Sequence, residues 1–406
     1  TDDQRAACVE IDAFLASREH RMLLSGDVGT GKTACFLAAA WALVSAGKTA
    51  AIIAPNTLVV ESIYAQALRL VPPENIARLT GAGAVGDPEA APLVIATHAL
   101  LGRTRAYDAL IVDEMHKFSV EQRARVDSHK VIEATATCQP RNVALLTAAN
   151  TRVARLAQRP QGGCVSTRQL DGADGRRSIV RMIHEATLAG GQCALVYPLR
   201  GSTERGKDSL AATAQAAYER LSDKLGPSVA LLHGKMSDEQ KNAVLADLAS
   251  GRVSVLVSTI VIELGITLPS LRLLIVVDPD RLGLAALHQL RGRVGRGAAA
   301  SACVLLYAAG ENGRLGEAAR ARLKAMVETP DGFEIARRDL EIRGPGEFIG
   351  ARQSGVPLLR YADLEEDAVL VDIARDLAEE ILRDAPQAAD VITARWFGGR
   401  ASLLKA

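Results

Sequence analysis

The chain has 406 residues, more than one ordinary domain holds, and 48% of them are apolar, enough for two or three separate cores. Forty-eight Lys and Arg against 47 Asp and Glu leave a formal net charge of +1, which excludes a global basic field, so any nucleic-acid contact must come from local clusters. The longest apolar run, residues 34–44, is too short to cross a bilayer, and six cysteines without C-x-x-C spacing (Cys8, Cys35, Cys138, Cys164, Cys193, Cys303) argue for reduced, mostly buried thiols over a disulfide frame or a zinc site.

The chain starts at Thr1 rather than Met, so a piece of a longer protein is expected. Residues 2–16 have helical spacing of apolar side chains, with Thr1 or Asp2 as N-cap. A short strand over 21–24 then leads into Gly26-Asp27-Val28-Gly29-Thr30-Gly31-Lys32-Thr33 and an Ala-rich helix over 33–44. This fits the phosphate-binding pattern G-x-x-x-x-G-K-[ST] in its required strand–loop–helix setting. Glycines let successive N–H groups converge on one concavity, and the helix N-terminus adds its own donors and positive dipole end. Lys32 is expected to reach the outer phosphates and Thr33 to hold Mg²⁺. An ordinary Gly-rich turn would need neither the Lys-Thr pair nor both flanks, so nucleoside triphosphate binding is the stronger expectation.

Further short apolar strands are predicted over 49–54, 93–96, 110–112 and 131–134, with a helix from Thr57 to about Leu70. They end in Pro55-Asn56-Thr57, Thr97-His98, Asp113-Glu114 and Thr135-Ala136-Thr137 respectively. Short strands alternating with helices predict a parallel sheet, in which ligands gather at the carboxyl ends of the strands. Each of these polar clusters lies there. Asp113 suits the second Mg²⁺ contact, and Glu114 can polarise the attacking water.

Over 155–174 periodicity fades into Pro, Gly and polar residues, which predicts a linker. Strands then recur over 192–196, 229–232, 253–257, 271–277 and 302–307, with helices over 209–225 and 238–248. This second α/β domain has no phosphate-binding loop, so one nucleotide is expected to serve both. In His288-Gln289-Leu290-Arg291-Gly292-Arg293-Val294-Gly295-Arg296-Gly297, helical spacing would turn Gln289, Arg293 and Arg296 one way, suiting an arginine-finger role across a cleft. A tail helix with an apolar stripe (Leu364, Val369, Leu370, Ile373, Leu377, Ile381) is expected to pack on the rest of the chain.

Together these residues resemble superfamily 2 helicases: Gly26 to Thr33 as the first motif, Asp113-Glu114-Met115-His116 as the DExH box, Thr135-Ala136-Thr137 as the third, then Leu232-His233-Gly234-Lys235-Met236, residues 258–269 and residues 288–297. Asp331-Gly332-Phe333-Glu334-Ile335-Ala336-Arg337-Arg338-Asp339-Leu340-Glu341-Ile342-Arg343-Gly344-Pro345-Gly346-Glu347, with Gly350-Ala351-Arg352-Gln353-Ser354-Gly355, resembles the translocation motif shared by RecG and the transcription-repair coupling factor, and is closer to RecG. The resemblance implies two RecA-like parallel-sheet α/β domains in tandem, over 1–155 and 176–325, a linker over 156–175, and a translocation motif with a helical region over 326–406. It implies ATP and Mg²⁺ as cofactors and branched duplex DNA as partner. A single-strand-binding protein as second partner, a monomeric state and a place in the bacterial cytoplasm also follow from it.

By the same resemblance Gln4 reads adenine. Thr135, Thr137, Glu263 and Gly265 couple the domains, and Thr97, His98, Thr259, Arg337, Arg338, Arg343, Arg352 and Gln353 face DNA. The sequence departs from the family at Met115, Cys138 and Thr267, where Gln, Pro and Asp are usual, and nothing in it matches the family's N-terminal wedge domain. The expected activity is an ATP-driven duplex translocase that remodels forks and junctions. The rivals are a translocase that displaces bound proteins and a DNA-binding scaffold with a decayed motor, against which the intact Lys32, Asp113, Glu114, Arg293 and Arg296 weigh.

Overall fold

A computed structural model describes residues 1–123, 125–136, 151–158, 165–197, 204–259, 270–295, 300–307, 315–343 and 368–397. The chain divides into two compact units, Thr1–Gln158 with Glu347–Ala406, and Arg159–Gly346.

In the first unit the strands are β1 (Arg21–Gly26), β2 (Ala50–Ile53), β3 (Ile76–Thr80), β4 (Gly83–Val85), β5 (Leu93–Ala96), β6 (Tyr107–Val112), β7 (Ser128–Thr135) and β8 (Arg152–Leu156). They form one sheet in the order β4-β3-β5-β2-β6-β7-β1-β8, parallel except for β4. The middle strands are buried on both faces, which is why they read as continuous apolar runs. Helices α1 (Asp2–Ala16), α2 (Lys32–Ser45) and α3 (Thr57–Ala67) cover one face, where Ile11, Phe14 and Phe36 pack on Leu24, Ile52 and Ile132. The other face holds Tyr107, Leu110, Val112, Phe118, Val126 and Val131, beneath a segment that includes the short α4 (Val120–Arg123).

Local chemistry explains the ends of α1. Thr1 accepts from the Gln4 amide N–H while the Gln4 side chain bonds back to the Thr1 amine, a capping box. At the other end the Lys130 ammonium donates to the carbonyls of Phe14, Ser17 and Glu19, a cation at the negative pole of the helix.

The second unit contains β9 (Val165–Asp171), β10 (Gln192–Tyr197), β11 (Val229–Leu232), β12 (Val255–Thr259), β13 (Leu271–Val277) and β14 (Ser301–Tyr307), all parallel in the order β11-β12-β10-β13-β14-β9. Its helices are α5 (Gly172–Leu188), α6 (Glu204–Leu225), α7 (Asp238–Ala249), α8 (Leu284–Arg291), α9 (Glu317–Glu328) and α10 (Gly332–Arg343). Helices α11 (Ala368–Asp384) and α12 (Pro386–Phe397) pack against each other near the end of the chain.

The structure departs from these expectations at the linker, in strands not predicted, and on part of the tail stripe. The predicted linker contains β9 and the start of α5; β9 is mostly polar (Ser166-Thr167-Arg168-Gln169) because it lies at the sheet edge, with β14 its neighbour among the described strands. Strands β3, β4 and β8 went unread, β4 because all three of its residues are exposed. Of the tail stripe, Leu370, Ile373 and Leu377 on α11 are 54%, 57% and 53% exposed and Ile381 is half-buried, while Leu364 and the Val369 side chain lie outside the described residues.

The thiols behave as expected where they are described. Cys8, Cys35, Cys193 and Cys303 are free, and burial pushes the last three up to about 12. Iodoacetamide at pH 8 should therefore leave Cys35, Cys193 and Cys303 unmodified in the folded protein and label them in urea. Native labelling of Cys193 as fast as a free thiol would contradict this packing. Among the described residues, no helix is long and apolar enough to cross a membrane.

Candidate active site

Sheet register brings three sequence-distant motifs to one edge. Strand β7 lies between β1 and β6, pairing Thr135 with Ser25 and Glu133 with Val112 in parallel ladders. Gly26, Asp113 and Thr135 therefore leave neighbouring strands at the same carboxyl end. Glycine is required twice in the loop that follows β1: Gly29 and Gly31 have φ of +81° and +88°, the left-handed region. Thr30 braces the loop by donating from N and Oγ1 to the Asp27 carbonyl at 3.3 and 2.9 Å.

Lys32 opens α2, with Gly31 at its N-cap, and is 9% exposed. Its Nζ donates to the carbonyls of Gly26 at 2.7 Å and Asp27 at 3.1 Å, so the ammonium sits in the loop's own concavity among oxygens that phosphate oxygens can replace. Gln4 lies directly on the loop. Its Nε2 donates to the Thr30 carbonyl at 3.0 Å, and a Cβ added to Gly31 would come within 2.0 Å of that nitrogen.

The Asp113 amide donates to the Ile53 carbonyl at 2.9 Å, continuing the β6–β2 ladder for one residue. Glu114 then turns sharply, with φ 53° and ψ 59°, and both carboxylates are half-buried. A non-glycine residue in the left-handed region is strained, and such strain collects at functional turns. The other described non-glycine residue with positive φ is Asp278 (φ 48°), the first residue after β13. The turn after Glu114 is pinned by Met115 against Leu23, and Phe118 stacks on His98 with ring centroids 4.6 Å apart. Thr97, which caps that His98 turn by accepting from the Ala99 amide, is thereby joined to the segment bearing Asp113 and Glu114.

The donor set fits Mg²⁺. The Thr33 hydroxyl, in the first turn of α2, and the Asp113 carboxylate, just after β6, are hard oxygen donors of the kind of which Mg²⁺ takes one or two, with phosphate and water for the rest.

In the second unit the structure changes one expectation. Helix α8 ends at Arg291, with Gly292 as C-cap, so Gln289 and Arg293 do not share a helical face; Arg293 lies in the turn beyond, half-buried. Gly292 and Gly295, the latter at φ +75°, break the helix that uniform spacing had suggested. Arg291 is the residue that sequence reasoning missed. It is 4% exposed, bonds His288 Nδ1, and donates to the carbonyls of Met326, Thr329 and Pro330. It thus ties α8 to the turn between α9 and α10. The signal was present: His288 and Arg291 stand three apart on one face of a largely apolar helix.

Thr259 closes β12 and is buried. Arg337 pairs with Glu334 and Glu341, and Arg338 with Glu334 and Glu328, so both guanidiniums are already engaged by carboxylates. Hydrogen bonds from Arg337 and then Arg338 hold the Glu334 carboxyl down to about 2. Arg343 is the last residue of α10. Thr137, Glu263, Gly265, Arg296, Arg352 and Gln353 lie outside the described residues.

Three family models match in tandem: DEAD/DEAH box helicase over 1–156, helicase conserved C-terminal domain over 194–298, and the C-terminal part of domain 3 of ATP-dependent DNA helicase RecG over 329–395. Curated relatives include the ATP-dependent DNA helicases RecG of Acidithiobacillus ferridurans, 38% identical, and of Escherichia coli (strain K12), 35% identical. Each alignment takes in 98% of this chain and 60% of the relative, so the chain spans about three-fifths of their length. A solved structure of RecG bound to a three-way DNA junction matches 91% of this chain and 50% of its own, with 31% identity and a TM-score of 0.68.

Proposed function

Because the chain belongs to the RecG family, we propose that it is an ATP-driven motor that moves on duplex DNA and remodels branched junctions. The observation that carries this is the shared carboxyl edge of β1, β6 and β7, which gathers the Lys32 loop, Asp113-Glu114 and Thr135. In this reading the loop N–H groups and Lys32 hold the triphosphate, and Gln4 orders the loop from α1. Thr33 and Asp113 would hold Mg²⁺, which when bound would offset the negative charge of the triphosphate. Glu114 accepts a proton from, and so orients, the attacking water. Arg293 and Arg296 contribute positive charge to the transferring phosphoryl group.

Movement along DNA is assigned to the segment after α9. Arg291 supports this, since it joins α8, which immediately precedes Arg293, to the turn that starts α10. Sequence-independent affinity comes from arginines on phosphate. Since Arg337 and Arg338 are engaged by carboxylates, Arg343 and Arg352 are the stronger assignments. The reading includes a monomeric motor in the bacterial cytoplasm, with a single-strand-binding protein as further partner, by family resemblance. Arg343→Ala should retain DNA-stimulated hydrolysis within about threefold yet lose most junction unwinding, roughly tenfold or more. Parallel phosphate-release and strand-separation assays check this; equal loss of both would count against a coupling role.

A further inference from the structure

Glu133 is fully buried, at 0% exposure, in the middle of the first sheet. It stands between Leu23 of β1 and Val112 of β6. Strand alternation puts it on the same face as Val131 and Thr135, the face packed with Leu110, Val112, Phe118 and Val126. A lone carboxylate there would be prohibitively costly. Its partner is Arg123 on α4, whose side chain is 9% exposed and forms an ion pair with it. Burial, and secondarily the nearby Arg21, pushes the Arg123 guanidinium down to about 10, so it stays charged at neutral pH.

Its position is what gives the pair a consequence. The segment from Asp113 to Arg123 is fastened at its start by the Asp113 amide on Ile53 and at its end by Arg123 on Glu133. Glu133 in turn lies two residues before Thr135. A buried ion pair contributes little stability beyond an apolar pair of the same volume, but removing either partner strands the other, so Arg123 and Glu133 hold α4 and β7 to each other.

We propose that Arg123 and Glu133 are positioning residues for the motor, holding the Asp113-Glu114 segment and the strand end at Thr135 in one joint geometry. Neither touches the nucleotide; they act through Glu114 and Thr135. The inference rests on the ATP-motor reading, and the wild-type control below separates the two.

The test compares wild type with the Arg123→Met/Glu133→Leu double variant and with the near-isosteric Glu133→Gln. Thermal midpoint, KM for ATP and DNA-stimulated kcat are measured on each. A purely structural pair predicts that the apolar double variant, with its midpoint restored, regains full kcat. The proposal predicts a midpoint at or above that of wild type, KM within about twofold, and kcat down about tenfold, since small misplacements of reacting groups are costly. Glu133→Gln should show the same split of kcat from KM, and it decides the matter if the double variant fails to fold. Wild-type kcat in a folded variant overturns the proposal. A wild type that hydrolyses no ATP with any DNA overturns the motor reading itself.

Discussion

Lys32→Ala is expected to lower ATP turnover about a thousandfold while leaving affinity for junction DNA within a few-fold. The Lys32 ammonium lies inside the loop's own concavity, among the Gly26 and Asp27 carbonyls, and in the proposed mechanism phosphate oxygens take those places. Removing it leaves charge on the leaving and transferring phosphates that backbone N–H groups alone offset only in part. The residues assigned to DNA lie on other elements, so binding survives. Phosphate release and fluorescence anisotropy on the same preparation check both halves. Retained DNA-stimulated hydrolysis would remove Lys32 from the mechanism.

The largest stability effect is expected at the buried pair. Glu133→Ala and Arg123→Ala should each destabilise the first unit by about 3–5 kcal/mol, because each strands the other charge in an apolar layer. For a unit of this size that is on the order of a 10 °C fall in its thermal midpoint. The two losses should not add, since the second removal relieves the first. Calorimetry on the two single variants and the double alanine variant measures this; additive losses would mean the two side chains act separately. In contrast, Arg337→Ala, which breaks the exposed bridges to Glu334 and Glu341, should barely move the midpoint.

Much of this was legible before any coordinates. The loop at Gly26 announces itself through local chemistry: glycines where φ must be positive, then Lys-Thr at a helix start. The double-sided apolar strands were equally readable, because burial on both faces leaves no polar alternation to confuse. What escaped was whatever depended on distant partners. β9, an edge strand, is mostly polar and so reads as linker. The Gln289–Arg293 helical face failed because Gly292 caps α8 one residue early. Arg291 looked like one more member of a basic run until its acceptors, 35 to 39 residues downstream, were in view. Glu133 was hidden inside Val131-Ile132-Glu133-Ala134, where only a cation from another element could make a carboxylate tolerable.

The central claim is that the strand-edge site around Lys32 and Asp113-Glu114 hydrolyses ATP to drive work on branched DNA. Phosphate release by this chain with a three-way junction, with linear duplex of equal length, and without DNA tests it most directly. The account predicts low turnover alone, stimulation by duplex, and the greatest stimulation by the junction, all lost in Lys32→Ala. Hydrolysis that is indifferent to DNA, or absent throughout, would contradict it.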